Sequence, residues 1–178
     1  VLRIVAENRL GDVILTEAGG RPMGTLSLSK IVTCLALRNK KSPLKLKSVS
    51  SKLKLASEGE SFSDTLRYMM RNRIRRAVVK RERDFYGITE REIMKAFFSH
   101  RELQSLSEGD NGSPNTTLGN LADGHAKLLP KLDGDVDVHE AWRHLDGDPR
   151  SCLIVDHNRI ATPWDLVIKP FLEGNLFA

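Results

Sequence analysis

A hydroxyl and a carboxylate lie three residues apart in Thr162-Pro-Trp-Asp165, directly after a short apolar segment. Thr, Pro and Asp in this order suit a helix start, with Thr162 as the N-cap. The first N–H groups of a helix are unpaired and carry a partial positive charge, so they attract phosphate. A carboxylate accepts hydrogen bonds from a vicinal diol. The pattern therefore suits a ligand with a phosphate and a diol, and it equally suits a plain helix cap.

Two further junctions vary this pattern. Thr89 is followed by Glu92 in Thr89-Glu-Arg-Glu92, which has the form of a capping box. Ser27 is followed by Lys30, which cannot accept a hydrogen bond from a hydroxyl and suits contact with a phosphate instead. Only the first junction therefore carries both the hydroxyl and the aspartate.

The three hydroxyls mark an internal repeat, in which each copy runs helix, strand, tight turn, strand, helix. The predicted strands are residues 12–16 and 23–27, 76–80 and 85–89, and 151–155 and 159–162. The predicted helices are residues 1–8 and 30–37, 62–72 and 90–98, and 138–145 and 164–171. Extended stretches at residues 53–56 and 127–132 open copies two and three. Gly19 and Gly20 supply the turn of the first hairpin.

Two polar segments separate the copies. Residues 39–51 are rich in Lys and Ser, and residues 107–115 combine Gly, Ser, Asp, Asn and Pro, as linkers do. The predicted domains are residues 1–40, which lack an opening strand and suggest a fragment, residues 48–106 and residues 116–178. Each copy is too small to bury both faces of its sheet, so we expect copies to pair, either one with two or two with three.

The repeat resembles the CBS domain, a small β-α-β-β-α motif that pairs into a Bateman module. The closest passages are Leu66 to Val79, with Tyr86 to Ile93, and the junctions Arg21 to Ser27 and Ile160 to Asp165. The resemblance implies an α+β fold of repeated motifs, each with a small three-stranded sheet flanked by helices. It covers nearly the whole chain apart from the two linkers.

The resemblance also implies a ligand, because CBS modules commonly bind adenine nucleotides in the cleft between paired motifs. The family signature, a Thr or Ser followed three residues later by Asp, matches Thr162 with Asp165 and is altered at Thr89 with Glu92 and at Ser27. By position, the purine would lie between Leu129, Leu132 and Ile154 in copy three, and between Leu53 and Val78 in copy two. Arg76 is a candidate for a ligand phosphate. Taken singly, each apolar residue is more simply a core residue.

Other kinds of site have weaker support. The basic run Arg71 to Arg83 allows a nucleic-acid patch, but a solvated helix end explains it more simply and few aromatic residues accompany it. His139 and His144 are five residues apart and lie on different helix faces, unlike zinc-binding histidines. Cys34 and Cys152 are the only cysteines, and two isolated thiols suit a reducing cytoplasm. They form no C-x-x-C pair, so we expect no metal site.

The sequence therefore predicts a regulatory protein without catalytic residues and without a cofactor in the catalytic sense. Of its 178 residues 40% are hydrophobic and 29% charged, the longest apolar runs are too short to span a bilayer, and the formal charge of +5 favours anionic partners. An adenine nucleotide as regulatory ligand is the first hypothesis. The alternative is a ligand-free module that forms a homodimer or docks on a partner enzyme or transporter, and nucleic-acid binding is a weaker third.

Overall fold

The computed structural model describes residues 1–8, 10–37, 42–72, 74–97, 118, 126–145 and 152–173. The predicted linker at residues 107–115 and Arg73 of the basic run lie outside the described residues. The fold is α+β, as predicted, and the chain forms two compact units. Unit 1 comprises Val1–Leu53 with Pro130–Ala178, and unit 2 comprises Lys54–Leu129. The predicted limits of the three copies are not tested by this division and stay predictions.

Copy one begins unit 1 with helix α1 (Leu2–Asn8), strands β1 (Asp12–Thr16) and β2 (Pro22–Ser27), and helix α2 (Leu28–Leu37). The two strands form an antiparallel hairpin. The predicted turn is confirmed, because Gly20 has a φ of 80° and the Glu17 amide donates to the carbonyl of Arg21. The hairpin feeds directly into α2, so Ser27 lies at a strand-to-helix junction.

Copy three completes unit 1 with helix α6 (Val138–His144), strands β8 (Leu153–Val155) and β9 (Arg159–Ala161), and helix α7 (Pro163–Leu172). Strand β8 is a continuous apolar run and is buried throughout, whereas only Ala161 is buried in β9. Asp156 and His157 have positive φ values of 48° and 60° and form the turn between β8 and β9.

The helices of copies one and three share a single core in unit 1. Its fully or nearly fully buried members include Val5, Val32, Trp142, Leu166 and Ile168. The sequence had proposed a pairing of copy one with two or of copy two with three, and it had not proposed this core between copies one and three. Helix α2 contacts α6 and α7, and α1 contacts α7, so apolar helix faces join the two copies.

Unit 2 contains copy two, with helix α4 (Phe62–Asn72), strands β4 (Arg76–Arg81) and β5 (Asp84–Thr89), and helix α5 (Glu90–Phe97). The strands pair in register from Arg76 with Thr89 to Arg81 with Asp84. The buried core of this unit consists of Met69, Ala77, Val79, Ile88, Ile93 and Leu118.

The stretches before copies two and three supply backbone to both units. After the short helix α3 (Leu46–Val49), strand β3 (Ser51–Lys52) pairs with β9 in unit 1, whereas Ala56 bridges Val79 in unit 2. Strand β6 (Lys127–Leu128) likewise pairs with β5 in unit 2, and β7 (Lys131–Leu132) pairs with β8 in unit 1. The sheet orders are therefore β3-β9-β8-β7 in unit 1 and β4-β5-β6 in unit 2.

Among the helices in the described ranges, none is long and apolar enough to cross a membrane.

Candidate functional site at the start of helix α7

Thr162 is placed by the β8–β9 hairpin and caps helix α7. Its backbone is extended, with φ −112° and ψ 167°, and Pro163 follows in the first helical turn. The Thr162 side chain accepts a hydrogen bond from the Asp165 amide at 3.4 Å. In return, the Asp165 carboxylate accepts a hydrogen bond from the Thr162 amide at 2.9 Å. The capping box that the sequence allowed is therefore present.

The Asp165 side chain is almost completely buried, with the residue 5% exposed. Its oxygen Oδ2 accepts from the Thr162 amide and, at 2.7 Å, from the Thr162 hydroxyl. Oxygen Oδ1 accepts from the Ser51 hydroxyl at 2.9 Å and pairs with the Lys169 ammonium at 2.7 Å. Each oxygen thus has two donors, as a buried carboxylate requires.

Two cations hold the linker segment Val49 to Ser51 against copy three. The Lys169 ammonium contacts the Val49 carbonyl and donates to the Ser51 hydroxyl at 3.0 Å. The Arg159 Nε donates to the Ser50 hydroxyl at 2.8 Å, and its Nη2 donates to the Ser50 carbonyl. The site therefore consists of one buried carboxylate, two cations and three hydroxyls, drawn from β9, α7 and the linker segment.

Sequence reasoning missed four residues that complete this cluster: Ser50, Ser51, Arg159 and Lys169. The spacing of Asp165 and Lys169, i and i+4 on a helix, is a signal that identifies the ion pair. No local signal identifies Ser51, because 114 residues separate it from Asp165.

The junction of copy two repeats the capping interaction in unit 2. The Thr89 amide donates to Glu92 Oε2 at 3.0 Å, and the Thr89 hydroxyl contacts the same oxygen. The Arg91 amide donates to the Thr89 hydroxyl at 3.3 Å. Thr89 is buried, and Arg76 lies opposite it in the β4–β5 register.

The junction of copy one is simpler. The Ser27 hydroxyl accepts from the Lys30 amide at 3.2 Å and lies 2.9 Å from the Ser29 hydroxyl. The Lys30 side chain is exposed. Thus Ser27, Thr89 and Thr162 all end a hairpin and begin a helix, while only copy three presents an aspartate.

The apolar candidates for a purine site divide between the units. Ile154 and Leu132 lie in the copy-three sheet of unit 1, where Ile154 pairs with Lys131 and Leu132 with Val155. Leu129 lies in unit 2, where its amide donates to the Phe85 carbonyl at 2.9 Å. The sequence had assigned Leu129 to copy three.

Gly87 provides the space for Leu129. A Cβ at Gly87 would lie 2.9 Å from a terminal methyl carbon of Leu129. Val78 is buried in the same unit, and Leu53 is half-buried in unit 1.

The basic run and the histidines show structural contacts. Arg81 pairs with Glu58 at 3.3 Å, and Arg75 lies 3.9 Å from Glu90. His139 is buried with its ring edge-on to Trp142. Across the described part of the chain, no group of three or more His, Cys, Asp or Glu residues is placed to hold a metal ion.

Solved structures with the same fold are found, although no protein-family profile and no curated protein sequence match the chain. Protein MJ1225 of Methanocaldococcus jannaschii, described as a candidate archaeal homologue of g-AMPK, superimposes with a TM-score of 0.76 at 16% identity. The match covers 96% of this chain but only 62% of MJ1225, so the chain spans about three fifths of that protein.

Two smaller proteins match over part of the chain. CBSX2 of Arabidopsis thaliana, solved with AMP, gives a TM-score of 0.52 at 13% identity, covering 73% of this chain and 98% of CBSX2. A CBS domain-containing protein of Bacillus anthracis gives 0.53 at 13% identity, covering 75% of this chain and 95% of that one.

Proposed function

We propose, from the premise that this chain has the fold of CBS-domain proteins, that it is a non-catalytic regulatory module binding an adenine nucleotide at the start of α7. The observation that carries the proposal is the buried Asp165 carboxylate beside the Thr162 hydroxyl in a repeated hairpin-to-helix junction. The AMP complex of CBSX2, a protein of similar fold, supports the choice of ligand.

The chemistry of the junction is compatible with both parts of a nucleotide. The Thr162 hydroxyl and the first amides of α7 suit a phosphate, and Asp165 suits the ribose hydroxyls. Thr89 with Glu92, and Ser27, are weaker positions for the same ligand, because neither has an aspartate three residues on. Ligand binding regulates only if the ligand favours one conformation or assembly over another.

Calorimetry on the chain with AMP, ADP, ATP and S-adenosylmethionine tests the proposal. Asp165→Asn should weaken nucleotide binding about tenfold, because a charge-assisted hydrogen bond to the ribose is lost. Asp135→Asn is the matched control, since it removes an exposed carboxylate of unit 1 that pairs with Lys47. Binding of none of the four ligands by the folded chain would contradict the proposal.

A ligand-free interaction module is the second candidate, and one observation favours it. Both oxygens of Asp165 already have protein donors, from Thr162, Ser51 and Lys169. In that case Asp165 serves only to fix the linker segment. Sedimentation velocity separates the candidates: this one predicts a homodimer or a partner complex that nucleotides do not alter.

A further inference from the structure

We propose that Lys169 is a specificity-determining residue that selects an anionic, phosphorylated adenosine ligand over uncharged adenosine and over the cationic S-adenosylmethionine. This inference rests on the proposed function and names the class of ligand for the same site. It is carried by the ion pair between Lys169 and Asp165.

The two oxygens of Asp165 differ in what a ligand has to displace. Oδ2 is bound by the amide and hydroxyl of Thr162, which belong to the cap itself. Oδ1 is bound by Ser51 and Lys169, which come from outside the capping box. A ribose diol that donates to Asp165 therefore replaces Ser51 and Lys169 as the donors to Oδ1.

Displacement leaves the Lys169 ammonium without a negative partner. Its other acceptors, the Val49 carbonyl and the Ser51 hydroxyl, are neutral. The Arg159 guanidinium contacts Ser50 of the same linker segment, so this segment then has two cations bound to neutral acceptors. Since the Lys169 side chain is only 33% exposed, water screens this charge incompletely.

A ligand phosphate restores the balance of charge. It supplies an anion that Lys169 can pair with once Asp165 accepts from the ribose. Adenosine supplies no charge, and S-adenosylmethionine adds a positive sulfonium. The order of affinity expected at this site is therefore AMP, then adenosine, then S-adenosylmethionine.

Calorimetry with these three ligands on the chain and on Lys169 variants tests the inference. The native chain should bind AMP at least about tenfold more tightly than adenosine. Lys169→Met should reduce the ratio of AMP to adenosine affinity to about twofold or less, mainly by weakening AMP binding. Lys169→Arg should keep this ratio, because it keeps the positive charge. Lys45→Met is the matched control, since it removes the cation of another ion pair in unit 1 and should leave the ratio unchanged.

The possible failures are distinguishable. Equal affinities for AMP and adenosine in the native chain, or an unchanged ratio in Lys169→Met, overturn this inference alone. Binding of no adenosine ligand overturns the proposed function and this inference with it. If Lys169→Met does not fold, Lys169→Gln, which retains an amide donor for Val49 and Ser51, provides the same test.

Discussion

The indole N–H of Trp142 donates a hydrogen bond at 3.1 Å to the carbonyl of Leu166. In an uninterrupted helix that carbonyl would accept from residue 170. Residue 170 of α7 is a proline, which has no backbone N–H. Trp142 on α6 therefore supplies the donor that α7 lacks at Pro170. This hydrogen bond lies inside the core of unit 1.

Trp142→Phe should destabilise the chain by about 1–3 kcal/mol, because it leaves the buried Leu166 carbonyl without a donor. Restoring a backbone donor by Pro170→Ala should reduce that loss. The measurement is a double-mutant cycle of unfolding free energies from urea titrations. Additive effects of the two substitutions would show that Trp142 and Pro170 do not act on the same carbonyl.

Local chemistry determined much of what the sequence predicted correctly. Gly20 permits the positive φ of the first turn, and the short apolar runs around Ile88 and Ile154 give buried strands. The order Thr162, Pro163, Asp165 specifies a cap whatever surrounds it. For these elements the information lies within a few residues, so the pattern alone was sufficient.

Contacts between distant segments were not predictable in this way. The extended stretch at residues 127–132 was predicted as one piece, yet Pro130 separates two strands that pair in different units. The core shared by copies one and three depends on which helix faces meet, and hydrophobic periodicity does not specify the partner. The contact of Ser51 with Asp165 likewise follows from tertiary packing. The sequence therefore predicted Thr162 and Asp165 but not the other members of the candidate site.

Gly134 fits a space that no larger residue can occupy without displacing its neighbours. Its amide donates to Asp156 Oδ1 at 2.7 Å, and an added Cβ would lie 2.2 Å from Asp156 Oδ2 and 2.9 Å from Lys47 Cβ. Gly134→Ala should therefore lower the unfolding free energy by about 1–3 kcal/mol. Urea titration measures the loss, with Gly24→Ala, which has open space around its Cβ position, as the control. Equal effects of the two substitutions would contradict the steric explanation.

The Thr162 hydroxyl should stabilise the start of α7 independently of any ligand. Thr162→Ala removes both its hydrogen bond from the Asp165 amide and its hydrogen bond to Oδ2, with an expected cost of about 1–2 kcal/mol. Thr162→Ser should recover most of this loss because it keeps the hydroxyl. Ser27→Ala should cost less, since Ser27 has no carboxylate partner three residues on. Urea titrations of the three variants test this order, and a Thr162→Ser variant as unstable as Thr162→Ala would contradict it.

The exposed pair of Lys47 and Asp135 gives a pH dependence of defined sign. The hydrogen bond from Lys47, followed by its charge, holds the pKa of Asp135 below its ordinary value, and Asp135 in turn raises the pKa of Lys47. The lowered pKa of Asp135 means that its contribution is present above the unfolded-state pKa, about 3.9, and is lost as pH falls through the folded-state value. The raised pKa of Lys47 means that its contribution is present below about pH 10.4 and is lost as pH rises further.

The stability difference between the native chain and Asp135→Asn should therefore be level between about pH 5 and pH 9 and shrink towards both extremes. Urea titrations across this range measure the difference. Since both side chains are more than half exposed, 0.5 M NaCl should reduce the difference, because it shortens the screening length to about 4 Å. A difference that grows below about pH 4, or that is unchanged by salt, would show that the pair does not stabilise the fold through its charges.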